Sequence, residues 1–289
     1  MATTDDITVR QCKPGEENYL MEFAKAQSWD YSMYDYRCYM RFAPDFLLVA
    51  IDKTGTPVGF GGLSLHAPNL YYLGNFIVRD DLRNKGIGRK LWQAMIAKAG
   101  DNNIALDGAP AMVNWYKKNG FQFQSFKVWF HNITVTDEMK LTHTFKYDIQ
   151  RLSEGHWPAL MEYDRLVYPN FNRERILRAW FADELVEVFL VMKGESVLGY
   201  GSIHKQSDNV YAVRNVYADN EDVLEEILRK MFDKLPTGTV ARFMLIDGKP
   251  MPQYLKSADE SADSAQRLFN KQMIETNVER MWLGTAHII

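Results

Sequence analysis

Residues 83–90 read Arg-Asn-Lys-Gly-Ile-Gly-Arg-Lys, two glycines set among four basic side chains. An apolar run, Leu73, Phe76, Ile77 and Val78, leads into this segment. A helical pattern leads out of it, with Ile87, Leu91, Ala94 and Met95 on one face and Gly100 as a stop. Strand, basic glycine loop and helix together suit one task, the binding of phosphate. The N–H groups that open a helix have no backbone partner and carry partial positive charge. Gly86 and Gly88 allow close approach of the backbone to a ligand. Arg83, Lys85, Arg89 and Lys90 add charge around them, with Asn84 and Ile87 completing the loop. The spacing is not that of a Walker loop, and Leu91 stands where the dinucleotide fingerprint needs its third glycine. An ordinary solvated turn has the same composition, so the neighbouring elements must decide.

Those elements read as follows. Residues 7–10 alternate like a short strand, and residues 16–26 form a helical pattern with Leu20, Phe23 and Ala24 on one face. An aromatic segment follows, Trp29, Tyr31, Tyr34, Tyr36 and Tyr39, with Asp30, Asp35 and Arg37 between the rings. It is either a helix whose rings cap the core or a wall that grips a substrate. Residues 46–51 and 57–65 form a strand pair around a turn at 52–55, and residues 71–78 form the strand that feeds the loop. A buried strand at 104–106 ends in Asp107-Gly108, a helix runs from Pro110 to Gly120, and residues 121–128 return as a strand. The order is β-α-α-β-β-β-α-β-α-β.

This order and two motifs resemble the GNAT acetyltransferase superfamily. Val78-x4-Arg83-x2-Gly86-x-Gly88 is similar to its pyrophosphate motif, and Tyr116-x3-Gly120-Phe121 to the signature that closes its cofactor site. Trp29, Asp35, Phe76-Ile77-Val78, Leu91-Trp92 and Leu106-Asp107-Gly108 resemble the two-domain YitH-like branch. The second motif departs from the commoner superfamily pattern, with Ala109 and Met112 in place of Asn and a small Ala. The resemblance implies acetyl-CoA as cofactor. Its pantetheine arm would pair with the backbone of Phe76, Ile77 and Val78, and its pyrophosphate would rest on residues 83–90. Tyr116, also beside the cofactor, would be the general acid. The strand at 71–78 contains no Glu, so the general base is sought in Asp107 or Asp35, with His66, read as a surface residue near a strand end, a distant third. Trp29, Tyr31, Tyr34 and Asn75 are the expected acceptor-binding residues.

The second half repeats the first. Gly59, Gly61, Asn69, Tyr71, Asn75, Asp107, Gly108 and Pro110 recur 140 positions later as Gly199, Gly201, Asn209, Tyr211, Asn215, Asp247, Gly248 and Pro250. Repetition at that period means two copies of a domain. At the same offset Arg83, Gly86 and Gly88 become Val223, Glu226 and Leu228, and the helix opening near Asp222 is acidic. Carboxylates there stabilise the helix and repel a pyrophosphate. The polar stretch 134–142 separates the copies. The expectation is a mixed α/β (α+β) chain of two tandem GNAT domains, each a mostly antiparallel twisted sheet flanked by helices. Residues 1–136 would carry the acetyl-CoA site, and residues 137–289 would be a degenerate copy without the loop.

The bulk properties narrow the function classes. With 46% hydrophobic and 25% charged residues the chain is ordinary globular sequence, and a net charge of −3 gives no reason to expect nucleic acid. Cys12 and Cys38 are too few for a disulfide framework and lack metal-site spacing, so free buried thiols and no metal are expected. The first residues lack a secretory pattern and no stretch is apolar enough to span a bilayer, so a cytoplasmic protein without a membrane partner is expected. The reading is an N-acetyltransferase that passes acetyl from acetyl-CoA to the primary amine of a small molecule or amino-acid-like acceptor, by direct attack in a ternary complex. A non-catalytic acyl-CoA sensor and a protein-lysine acetyltransferase are the alternatives, and the oligomeric state is open.

Overall fold

The computed structural model describes residues 6–29, 31–140, 143–259 and 263–287. Asp30 of the aromatic segment, and Leu141 and Thr142 of the expected boundary, lie outside the described residues. The chain forms two compact units, Met1–Asp107 with Phe269–Gln272, and Gly108–Leu268 with Met273–Ile288.

The first unit runs β1 (Thr8–Gln11), α1 (Glu17–Ala26), α2 (Met33–Phe42), β2 (Leu47–Ile51), β3 (Pro57–Ala67), β4 (Leu70–Val78), α3 (Ile87–Ala99) and β5 (Asn103–Gly108). Strands β1 to β4 pair antiparallel in chain order, and β5 adds parallel to β4. Helix α3 packs on β3 so closely that two glycines are required there. A Cβ at Gly61 would lie 2.6 Å from Met95 Sδ, and one at Gly59 would lie 2.9 Å from the Ile77 carbonyl oxygen. Ile87, Leu91 and Met95, the apolar face foreseen for this helix, are buried. Each such side chain contributes roughly 1.5–3 kcal/mol through burial. The aromatic segment divides. Trp29 and Tyr31 precede the helix, while Tyr34 and Tyr39 lie within α2, which opens with a capping box of Ser32 and Asp35. The segment Phe269–Gln272 is bound to β5: the Asn270 backbone N–H donates to the Ile104 carbonyl (3.1 Å), and the Asn270 side-chain oxygen accepts from the Ile104 N–H (2.6 Å).

The second unit holds α4 (Pro110–Lys118), β6 (Phe123–Thr134), β7 (Asp148–Arg151), α5 (Trp157–Val167), α6 (Glu174–Phe181), β8 (Val186–Lys193), β9 (Ser196–Ser207), β10 (Val210–Ala218), α7 (Glu221–Phe232), β11 (Val240–Ile246), β12 (Ser264–Phe269) and β13 (Met281–Leu283). Its strand order is β12-β6-β11-β13-β10-β9-β8-β7. All these pairings with a given register are antiparallel except β10 with β11, which is parallel. Strand β6 belongs to the first copy in sequence, yet it runs beside β11 of the second, from Val240↔Thr134 to Ile246↔Val128. The compact units therefore do not follow the sequence copies.

The repeat is visible in the backbone. Asn75 and Asn215 take left-handed conformations with φ of 51° and 53°, each at an irregularity in the register of its strand. Gly199 and Gly201 repeat the close packing of Gly59 and Gly61, the latter now against Met231 at 2.9 Å. One expectation is corrected. The offset of 140 holds from β3–β4 to β9–β10 but falls to 136 on the helix, where Ile227 and Met231 take the places of Leu91 and Met95, and is 137 from β5 to β11, so Asp247 does not stand where Asp107 does. The connection from β10 to α7 is only residues 219–220, against 79–86 in the first copy. Asp222 and Leu224, rather than Glu226 and Leu228, thus stand opposite Gly86 and Gly88. Glu226 instead accepts a hydrogen bond from the Lys146 backbone N–H (2.7 Å) and pairs with His143 (2.5 Å).

Candidate active site

The centre of the first unit is the point where β4 and β5 part. Their parallel register runs from Leu70↔Asn103 to Leu73↔Leu106, and β4 continues to Val78 with β3 as its register partner. A strand with one edge left over offers main-chain groups to an extended ligand. Phe76, Ile77 and Val78 lie on this stretch, immediately after the bulge at Asn75.

The loop that follows has the backbone geometry and charge expected of an anion site. Asn84 and Gly86 are both left-handed, with φ of 61° and 82°. Alternation of hand across residues 84–86 turns successive N–H groups toward one side. Gly86 is the N-cap of α3 and makes no side-chain cap, and the first turn contains no acidic residue. The Lys90 N–H bonds back to the Gly86 carbonyl, so the N–H groups of Ile87, Gly88 and Arg89 are the ones that helix geometry leaves to other acceptors. A Cβ at Gly88 would lie 3.6 Å from Phe76 Cζ and from Val78 Cγ2, so the helix opening sits directly against the strand edge. The basic side chains divide their work. Arg83 pairs with Asp80 (2.6 Å) and donates to the Val78 carbonyl (3.2 Å). Lys85 and Lys90 donate to the carbonyls of Asp81 (3.0 Å) and Ile7 (3.1 Å). These three brace the loop, and Arg89 is exposed in the first helical turn. Main-chain donors, positive charge and an open edge fit a coenzyme A moiety, whose pyrophosphate needs the first two and whose pantetheine amides need the third.

The expected acceptor residues lie in the same unit. Trp29 is 38% exposed, its N–H closing onto the Ala24 carbonyl (2.9 Å). Tyr31 and Asn75 meet: burial, then the charges of Tyr39 and Asp35, push the Tyr31 phenol well above its ordinary value, and a hydrogen bond from Asn75 opposes them. Tyr34 is buried in α2. Asp35 is fully buried, and its Oδ2 accepts from the N–H (2.7 Å) and hydroxyl (2.8 Å) of Ser32, which makes it a helix cap. Asp107 stands on β5 one residue past the last pair with β4, and its Oδ2 accepts a hydrogen bond from the Tyr72 hydroxyl at 2.7 Å. Sequence offered no sign of that partner, which is 35 residues away on a different strand. His66, expected at the surface, is instead 2% exposed and stacked on Tyr72. At this end of β3 it is the opposite face, at Leu65, that is exposed.

Tyr116 belongs to the second unit. It lies on α4, where Gly120 (φ 98°) reverses the chain so that the Phe121 N–H reaches the Tyr116 carbonyl (3.1 Å) and the two rings pack edge to face. That is the physical content of the Tyr-x3-Gly-Phe spacing. Burial pushes the Tyr116 phenol far up, so it holds its proton across the physiological range. Cys12 and Cys38 are free thiols, Cys38 buried and Cys12 partly so. Among the described residues no group of three metal-ligating side chains gathers, and no helix is long and apolar enough to cross a membrane.

Comparison with known proteins agrees with this geometry. Residues 16–121 match the model of the Acetyltransferase (GNAT) family. A curated relative, the holothin acyltransferase of Pseudoalteromonas sp. (strain SANK 73390), is 23% identical over 225 residues, which are 75% of this chain and 71% of that one. Among solved structures, a Pyrococcus horikoshii protein assigned as an acetyltransferase superposes with a TM-score of 0.78 at 16% identity, covering 99% of this chain and 97% of that one. A tandem GNAT protein from the clavulanic acid biosynthesis pathway superposes with a TM-score of 0.62 at 13% identity, covering 91% and 98%. At those identities the two structures speak for the fold alone. The family match spans the loop and the Tyr-x3-Gly-Phe turn, so over residues 16–121 the chain is similar to the GNAT acetyltransferases.

Proposed function

We propose that the chain transfers an acetyl group from acetyl-CoA to the primary amine of a small molecule or amino-acid-like acceptor, by direct attack in a ternary complex. The observation that carries this reading is the open edge of β4 running into the left-handed, acid-free opening of α3. Residues Phe76 to Val78 would hold the pantetheine arm through main-chain bonds, and residues Arg83 to Lys90 the pyrophosphate. Bound there, acetyl-CoA would supply an activated acyl carbon and a thiol leaving group. Positioning then accounts for much of the rate. Tyr116, neutral at working pH, can give a proton to the leaving sulfur but cannot serve as a base. Between the two carboxylates we assign the base to Asp107, at the vertex of the strands, and leave Asp35 its capping role. Trp29, Tyr31, Tyr34 and Asn75 form the acceptor side. That a relative is named for acylating holothin supports a small-molecule acceptor. Residues 1–136 carry this site, and residues 137–289 form a copy whose two-residue β10–α7 connection has no room for the loop.

The test is calorimetric titration with acetyl-CoA, followed by mass spectrometry of a primary-amine library incubated with enzyme and acetyl-CoA. One bound acetyl-CoA per chain and an amine gaining an acetyl group are expected. Absence of binding would refute the reading, and binding without any acetylated amine would favour a sensor.

A further inference from the structure

We infer that Tyr72 is a positioning residue that aims Asp107 at the acceptor's ammonium group, and that Asp107 takes the proton that must leave before the amine can attack. The inference rests on the acetyl-transfer reading above. Its basis is a set of contacts within the first unit. The Tyr72 hydroxyl donates to Asp107 Oδ2 at 2.7 Å. The Tyr72 ring is held from one side by His66, stacked at 5.2 Å and 23°. His66 Nε2 is fixed in turn by the Ser64 hydroxyl (3.0 Å), and its ring meets the edge of Phe42 of α2 at 5.4 Å. Gly74 lies beside the ring: a Cβ there would stand in van der Waals contact with it, at 3.4 Å. Tyr72, Ser64 and His66 are buried, and Asp107 is partly exposed. A rigid, buried donor holding a carboxylate at the strand vertex is a preorganised support.

The second copy provides a control. By its register with β10 it has Met244 where β5 has Asp107, and so lacks the carboxylate at the vertex. At the positions of Tyr72, Gly74 and His66 it has Ala212, Arg214 and Gln206. The fold therefore does not need the Tyr72 arrangement, which occurs only in the copy that has the loop. In the proposed step the ammonium N–H bond breaks, the proton passes to an Asp107 carboxylate oxygen and from there to solvent, and the nitrogen keeps the electron pair it uses for attack.

The experiment measures coenzyme A release by wild type, Tyr72→Phe, Asp107→Asn and the double variant. The probes are ethanolamine, 2-phenylethylamine, putrescine and L-alanine amide, with the weakly basic aminoacetonitrile as an acceptor that arrives unprotonated. Tyr72→Phe keeps the ring stack, so its fold is retained. Its kcat/KM for the best amine should fall about tenfold at neutral pH, the loss of a hydrogen bond to a charged group. Asp107→Asn should fall about a hundredfold, and the double variant no further. Acetyl-CoA affinity should stay within twofold of wild type, and the deficits should shrink at alkaline pH and with aminoacetonitrile. An unaffected Tyr72→Phe, multiplicative losses in the double variant, a deficit independent of pH and amine basicity, or an equal loss of acetyl-CoA affinity would each overturn the inference. A wild type that binds acetyl-CoA yet acetylates none of these amines would overturn the acetyl-transfer reading as well, a pattern distinct from an active wild type with an indifferent Tyr72→Phe.

Discussion

Replacement of Gly86 by Glu and, in parallel, by Lys separates the two properties on which the proposed pyrophosphate site rests. Gly86 has φ of 82°, and any side chain there meets the left-handed penalty of about 1–2 kcal/mol. Both variants should therefore lose stability alike, a fall in Tm of roughly 4–8 °C. Their charges differ in the opposite sense. A unit charge about 7 Å from a phosphate, at an effective dielectric constant of about 20, is worth roughly 2 kcal/mol, and solvent at this open loop lowers that. Going from Lys to Glu swings the charge by two units, so acetyl-CoA affinity should differ by roughly 2–3 kcal/mol, about 30- to 150-fold, with Glu the weaker. Titration calorimetry at low and at moderate salt is the assay, because the gap should narrow as the Debye length falls toward 8 Å. Equal affinity of the Glu and Lys variants, or a gap that ignores salt, would show that the pyrophosphate does not rest on the opening of α3.

Other expectations follow from the same structure. Tyr116→Phe should lower kcat by about 10²-fold while leaving acetyl-CoA affinity within twofold, and turnover equal to wild type in a stopped thiol assay would remove Tyr116 from the chemistry. Gly61→Ala should destabilise by about 1–3 kcal/mol, because its Cβ would lie 2.6 Å from Met95 Sδ. Met95→Ala should make that loss smaller than the sum of the two single changes in urea unfolding, and simple additivity would show that the helix approaches β3 for another reason. The buried phenols of Tyr31, Tyr116, Tyr163, Tyr168 and Tyr200 are all raised, first of all by burial. Their stabilisation is complete below the unfolded value near 10 and is lost above it, by about 1.4 kcal/mol per pH unit for each tyrosine that cannot ionise while folded. Tm should thus fall steeply above pH 10 with a late step in tyrosinate absorbance as the buried phenols are released, and absorbance corresponding to all fifteen tyrosines before unfolding would contradict this.

The first half was legible because its signals are local. The alternation of residues 57–65, the apolar face Ile87-Leu91-Met95 and the Gly-x-Gly opening each need only neighbours in sequence to be read. Tyr116-x3-Gly120-Phe121 is likewise a helix end closed on itself, with Gly120 at φ 98°. The repeat was legible on the strands, where packing on a helix forbids a side chain at Gly59, Gly61, Gly199 and Gly201. It misled on α7 and on β11, since a constant offset cannot register a shortened connection.

What the sequence determined by itself was the order of elements, the existence of two copies and the Gly-x-Gly turn that opens α3, all products of short-range periodicity and backbone preference. What only the tertiary structure decided was partnership. Strand β6 pairs with β11 of the other copy, and Asn270 closes onto Ile104 of the first. The Asp35 carboxylate is committed to Ser32, and that of Asp107 to Tyr72. A strand edge accepts any strand of suitable register, and a carboxylate any donor within reach. Which one it receives depends on where the rest of the chain has packed, and single-sequence patterning contains no record of that.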